Sequence, residues 1–122
     1  MTDNRSHLKV RKASGVSVVE FADRKILEEI SIAEIGDELS LLVSSSPGVQ
    51  LLVSFKDVEH LSSAALGMLI NLNKSVAEKS GHLKLADITP QIFEVFKITR
   101  LNKLFHIYDS ADQAMGAFPK AG

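Results

Sequence analysis

The stretch VQLLVSFKDVEHLSSAALG, Val49 to Gly67, changes its hydrophobic period once, and that change decides the fold. Val49 to Phe55 is a largely apolar run bounded by turn residues, the pattern of a central strand buried on both faces. From Ser62 onward the spacing is helical. Ala65, Leu69, Leu72 and Val76 fall on one face of a helix predicted over 62–80, with Gly81 as its C-terminal cap residue. A buried strand that leads through a short loop into an amphipathic helix is the repeating unit of an α/β fold with parallel strands.

The flanking sequence extends the same alternation. Upstream, Ser31-x-x-Glu34 reads as a capping box, Ile30 and Ile35 stand at hydrophobic-staple positions, and Ile32, Ile35, Leu39 and Leu42 form one apolar face. That helix is expected to end in Ser44-Ser45-Ser46-Pro47-Gly48. Before it, a strand over His7 to Lys12 and a β-rich run with Val16, Val18 and Phe21 meet at Gly15 and predict a hairpin, after which Asp23-Arg24-Lys25 breaks the pattern. Downstream, Leu83, Leu85 and Ile88 read as a strand. Thr89-Pro90 reads as a cap followed by a proline at the first helical position, with Ile92, Phe93 and Phe96 as the apolar face. Leu104 to Tyr108 reads as a short strand, and a last helix from Asp109 or Ser110 carries Ala111, Ala114, Met115 and Phe118 inward. The order β-β-α-β-α-β-α-β-α predicts an α/β fold, a mixed sheet of about five strands with about four helices. One domain is expected over 1–122, with a core over about 7–118 and frayed ends.

Composition removes several functions. Fourteen Lys and Arg against 15 Asp and Glu give a formal charge of −1, and no basic run exceeds Arg11-Lys12 or Arg24-Lys25, so nucleic acid is not an expected partner. With no cysteine, disulfides, thiolate metal sites and a Cys nucleophile are excluded. No apolar run approaches the ~18 residues of a membrane helix, and the polar start Met1 to Ser6 leads into no secretory segment. The expectation is a cytoplasmic protein without membrane insertion.

Catalytic and cofactor motifs are equally scarce. The glycines at 15, 36, 48, 67, 81, 116 and 122 do not form a phosphate-cradling loop. His7, His60, His82 and His106 are isolated, with no i, i+4 pair to present two ligands to one metal. Glu28-Glu29 and Asp37-Glu38 are adjacent pairs whose members point to different sides, a poor arrangement for acid and base. No G-x-S-x-G elbow surrounds Ser62 or Ser63. No enzyme, metal or cofactor is therefore expected.

What remains is Val58-Glu59-His60-Leu61-Ser62-Ser63-Ala64-Ala65-Leu66-Gly67, which places two hydroxyls on the first turn of a helix. Free amides and the macrodipole favour negative charge there. In one reading a serine simply caps the helix. In the other, Ser62 caps while Ser63 faces solvent as a phosphoryl acceptor for a kinase, and the small Ala64 and Ala65 leave the helix start uncovered.

This segment resembles the signature of the STAS domain, the fold of bacterial anti-sigma factor antagonists. Leu51, Leu52 and Val53 in the central strand, the Leu66-Gly67 step, Gly81-His82-Leu83-Lys84-Leu85, and Ile98 to Phe105 extend the resemblance over nearly the whole chain. It implies a binding module in which Ser63 aligns with the phosphorylated residue of the family. Ser62 falls where many members carry Asp, Ser54 where many carry Asp or another polar residue, Ala65 where many carry Gly, and Glu28, before the first helix, at an acidic position that the family places near the acceptor. The implied partner surface is Glu28, Ser54, Ser62, Ser63, Ala64, Ala65 and Gly67. The implied partners are an anti-sigma factor that is also a serine kinase, and a phosphatase. In this partner switching, the unphosphorylated form binds the kinase and frees a sigma factor, and phosphorylation of Ser63 ends the contact. The alternative is a STAS scaffold in a signalling assembly, or a small subunit of a lipid-transport complex, in which Ser62 and Ser63 only cap a helix.

Overall fold

The structure, a computed structural model, describes residues 8–13, 15–21, 25–26, 29–46, 48–56 and 58–118, with backbone alone at 25–26 and 29–31. Strands β1 (Leu8–Ala13) and β2 (Val16–Phe21) form the expected antiparallel hairpin, in register from Leu8 opposite Phe21 to Ala13 opposite Val16. Gly15 supplies the positive φ of 80° that the tight connection requires. A two-residue strand β3 (Lys25–Ile26) then leads to helix α1 (Glu29–Ser45). The helix starts two residues before Ser31, so Ser31 lies inside the first turn and not at the cap that the Ser31-Glu34 spacing suggested.

The decisive stretch behaves as its periods require. Strand β4 (Gln50–Ser54) has Leu51, Leu52 and Val53 wholly buried, because helices cover both faces of the sheet. Strand β5 (His60–Leu61) precedes α2 (Ser63–Glu78), then β6 (His82–Ala86), α3 (Pro90–Ile98), a single 3-10 turn at Leu101–Lys103, β7 (His106–Tyr108) and α4 (Ala111–Ala117). The last strand is shorter than the expected 104–108, since the Leu104 and Phe105 amides both donate back to the Leu101 carbonyl at 3.0 Å and so belong to the turn. Phe105 is turned inward, edge-on to the ring of Phe96 at 5.9 Å. Serine and threonine caps open the later helices: Thr89 accepts from the Ile92 amide at 3.3 Å, and Ser110 from the Gln113 amide at 3.2 Å.

The main sheet runs β1-β2-β4-β6-β7, with β2, β4, β6 and β7 parallel and β1 antiparallel at one edge. This is the expected mixed sheet of five strands with four helices. Alternation divides its side chains. Val19, Leu51, Val53 and Leu85 meet Ile35, Leu39, Leu69, Leu72 and Phe96 from α1, α2 and α3. Val18, Leu52 and Ala86 face the other way, toward Ala114 and Phe118. Each fully buried Leu, Ile, Val or Phe contributes roughly 1.5–3 kcal/mol of transfer free energy, so these two layers supply most of the drive to fold. Lys84 is also buried, its ammonium 5.4 Å from the Tyr108 ring centre and 5.3 Å from that of Phe118.

The two shortest strands, β3 and β5, pair in parallel outside the main sheet, Lys25 with His60 and Ile26 with Leu61. Two residues are too few to show any period, so this ladder left no trace in the hydrophobic pattern. It joins the approach to α1 to the approach to α2.

Candidate functional site

Helix α2 begins where the β3–β5 ladder ends. Ser62 is extended (φ −88°, ψ 168°), and its Oγ accepts a hydrogen bond from the Ala65 amide at 3.2 Å. Its carbonyl accepts from the Leu66 amide at 3.1 Å, closing the first helical turn. Ser62 is thus the N-cap, and Ser63 is the first helical residue with an exposed side chain. The helical phase explains this division. Ala65, Leu66, Leu69, Leu72 and Val76 turn inward, and Ser63 and Ala64 turn out.

The first turn of α2 contains no Asp or Glu. Its free amides and the positive end of the macrodipole therefore have no carboxylate of their own helix as a counter-charge. Ser63 stands at that end.

The remaining expected positions do not share one surface. Ala64 is exposed as expected, but Ala65 is wholly buried, in line with the apolar series it begins, so only Ala64 leaves the helix start uncovered. Ser54 is buried at the end of β4, where its Oγ donates to Asp87 Oδ2 at 2.7 Å and accepts from the Lys56 amide at 3.4 Å. Glu28 lies outside the described residues. Ile26 and Leu61, each two residues from Glu28 and Ser63 in sequence, are paired by the short ladder.

Asp87 was not singled out in the sequence. It has a left-handed backbone (φ 62°), which Asp tolerates better than most residues, and its carboxylate fixes the end of β6 to the end of β4. The only signal was its place between an apolar strand and the Thr89-Pro90 cap, where a turn residue belongs.

Gly67 lies beside a groove of about 460 Å³ between α1 and α2, whose walls include Gly36, Asp37, Ser40, Ala64 and Met68. The two glycines differ in what they are for. A Cβ on Gly36 would stand 3.3 Å from Met68 Cγ, so the close packing of α1 on α2 accounts for Gly36. A Cβ on Gly67 would meet nothing within 4 Å. Glycine inside a helix costs about 0.5–1 kcal/mol relative to Ala, and no contact among the described residues offsets that here.

Among the described residues no three His, Asp or Glu side chains are grouped to hold a metal ion, and no helix is long and apolar enough to cross a membrane.

A family model described as STAS domain matches residues 9–114. The anti-sigma-B factor antagonist of Bacillus subtilis (strain 168) is 30% identical over 67 residues, 55% of this chain and 62% of that protein. The chain spans 55% to 62% of the length of the curated relatives it matches at 29% to 32% identity. Among solved structures, an anti-sigma-factor antagonist (STAS) domain protein from Planctomyces limnophilus has a TM-score of 0.80 at 20% identity, over 90% of this chain and 95% of that one. The Bacillus cell fate determinant SpoIIAA in its phosphorylated form has a TM-score of 0.68 at 13% identity, over 89% of this chain and 96% of that one. At those identities the two likenesses establish the fold.

Proposed function

Because the chain belongs to the STAS domain family, with 9–114 matched, we propose that it is an anti-sigma factor antagonist switched by a phosphate on Ser63. The unphosphorylated protein docks on a cognate anti-sigma factor with serine kinase activity, and the sigma factor is released. The observation that carries this reading is the exposed Ser63 hydroxyl at the first position of a helix whose opening turn has no acidic residue. The curated relative from Bacillus subtilis, named an anti-sigma-B factor antagonist, supports the general role.

The proposed docking surface is the outward side of the α2 start, Ser63 and Ala64, with Gly67 one turn further on; Glu28 is added to it on the family resemblance alone. Ser54 and Ala65, both buried, are not part of it. A phosphate on Ser63 adds about −1.5 to −2 charge to a chain of formal charge −1. The helix end tolerates that charge, with roughly 0.3–1 kcal/mol of stabilisation at an exposed terminus. A partner surface that must desolvate it does not. The switch acts on the interface and leaves the fold intact, and a phosphatase resets it.

Incubation with the cognate kinase and ATP tests this directly. One phosphate is expected by intact mass, located on Ser63 by fragmentation and absent from Ser63→Ala. An unchanged mass, with Ser63→Ala and wild type binding the kinase equally, would leave Ser62 and Ser63 as helix-start residues only.

A further inference from the structure

The groove of about 460 Å³ between α1 and α2 opens beside the Ser63 end of α2, because Ala64 and Gly67 line it and also belong to the docking surface proposed above. Its floor is apolar. Ile32, Leu39 and Leu72 are buried there, and Met68 is half-buried. Its rim carries exposed Asp37, Ser40 and Asn71. Of the described residues that line the groove, Asp37 is the one that is charged, and its carboxylate has no hydrogen bond or ion pair among the described residues. Helix α1 contains no Lys or Arg, so its own helix offers that carboxylate no counter-charge one turn away.

An apolar floor with a single open carboxylate on its rim selects among occupants. An acidic or phosphorylated group would meet like charge, and a purely apolar side chain would cover Asp37 without giving it a partner. A long cationic side chain meets both requirements, with its methylenes on the floor and its head on the carboxylate. The geometry points to this groove as the seat of an arginine or lysine of the anti-sigma kinase, engaged while Ser63 lies against the kinase's active site. Gly67 keeps the groove open, since any larger residue there would take up part of its volume. The inference rests on the docking role given to Ser63. It adds Asp37, on a different helix, as the residue that selects the partner by charge.

Calorimetric titration of the whole chain with the cognate kinase tests this, with melting followed on every variant. Asp37→Lys is expected to weaken binding at least about tenfold, and Gly67→Leu, which fills the groove from its other wall, by a similar factor. Glu78→Lys makes the same change of net charge on α2 away from the groove and should bind as wild type does. If Asp37→Lys and Gly67→Leu bind normally while Ser63→Asp is weakened, the groove is overturned and the switch stands. If those two are weakened while Ser63→Asp binds normally, the groove is upheld and the switch is lost. Equal losses from Asp37→Lys and Glu78→Lys would reduce the effect to net charge and overturn the pairing. A wild type that does not bind the kinase overturns groove and switch together.

Discussion

The two ends of α2 are built to opposite standards. At its C-terminal end, Ser80 takes the left-handed turn (φ 60°) and the Gly81 amide donates to the Val76 carbonyl at 2.9 Å. The Gly48 amide reaches the Lys79 carbonyl and the His82 amide the Val49 carbonyl, both at 2.8 Å, binding the helix end to the approach to β4. At its N-terminal end a single side-chain cap closes the turn, Ser63 is exposed, and Gly67 faces open space. One end is finished by the chain itself and the other is left for something outside it. If Ser63 is the switch proposed above, stability and recognition separate along one helix, and variants at the two ends should fail in different assays.

The largest difference should come from placing the same methyl group at both ends. A Cβ on Gly81 would stand 2.5 Å from the Val49 carbonyl oxygen, a backbone atom that cannot step aside. Gly81→Ala is therefore expected to cost about 2–3 kcal/mol in urea unfolding while leaving kinase affinity, measured on the folded fraction, near wild type. Next in size is Ser63→Asp, which should weaken kinase binding by at least tenfold, about 1.4 kcal/mol, with melting unchanged or slightly raised. Equal binding by this variant would remove the functional half of the contrast. Ser62→Ala deletes the cap bond to the Ala65 amide and should cost about 1 kcal/mol. Gly67→Ala is the smallest and has the opposite sign to Gly81→Ala. It should stabilise the fold by about 0.5–1 kcal/mol, because no atom lies within 4 Å of the new methyl. A destabilised Gly67→Ala would mean that the open end is packed after all.

The sequence disclosed what depends on neighbours along the chain. The Thr89-Pro90 cap, the Ser62 cap, the Gly15 hairpin and the doubly buried β4 all follow from local chemistry and periods of 2 and 3.6. It misplaced the cap at Gly81: the C-cap is Lys79 and the left-handed residue Ser80, and glycine is required at 81 by the approach of Val49 instead. Features made by distant pairs were not legible. Ser54 and Asp87 are 33 residues apart, and their hydrogen bond exists only because β4 and β6 are neighbours. The β3–β5 ladder is as short as a ladder can be. Ala65 could have been read better, since its place in the series Ala65, Leu69, Leu72 and Val76 already turned it inward.

The margins of the sheet bear on how the protein survives at high concentration. An uncovered strand edge is a template for further strands and the usual seed of fibrils. Here β1 presents exposed Lys9, Arg11 and Lys12, and β7 at the other margin is only three residues long. A strand arriving at β1 would bring its backbone against a row of ammonium and guanidinium groups, and one arriving at β7 would find too little to pair with. Both margins therefore resist growth of the sheet into amyloid when copies meet.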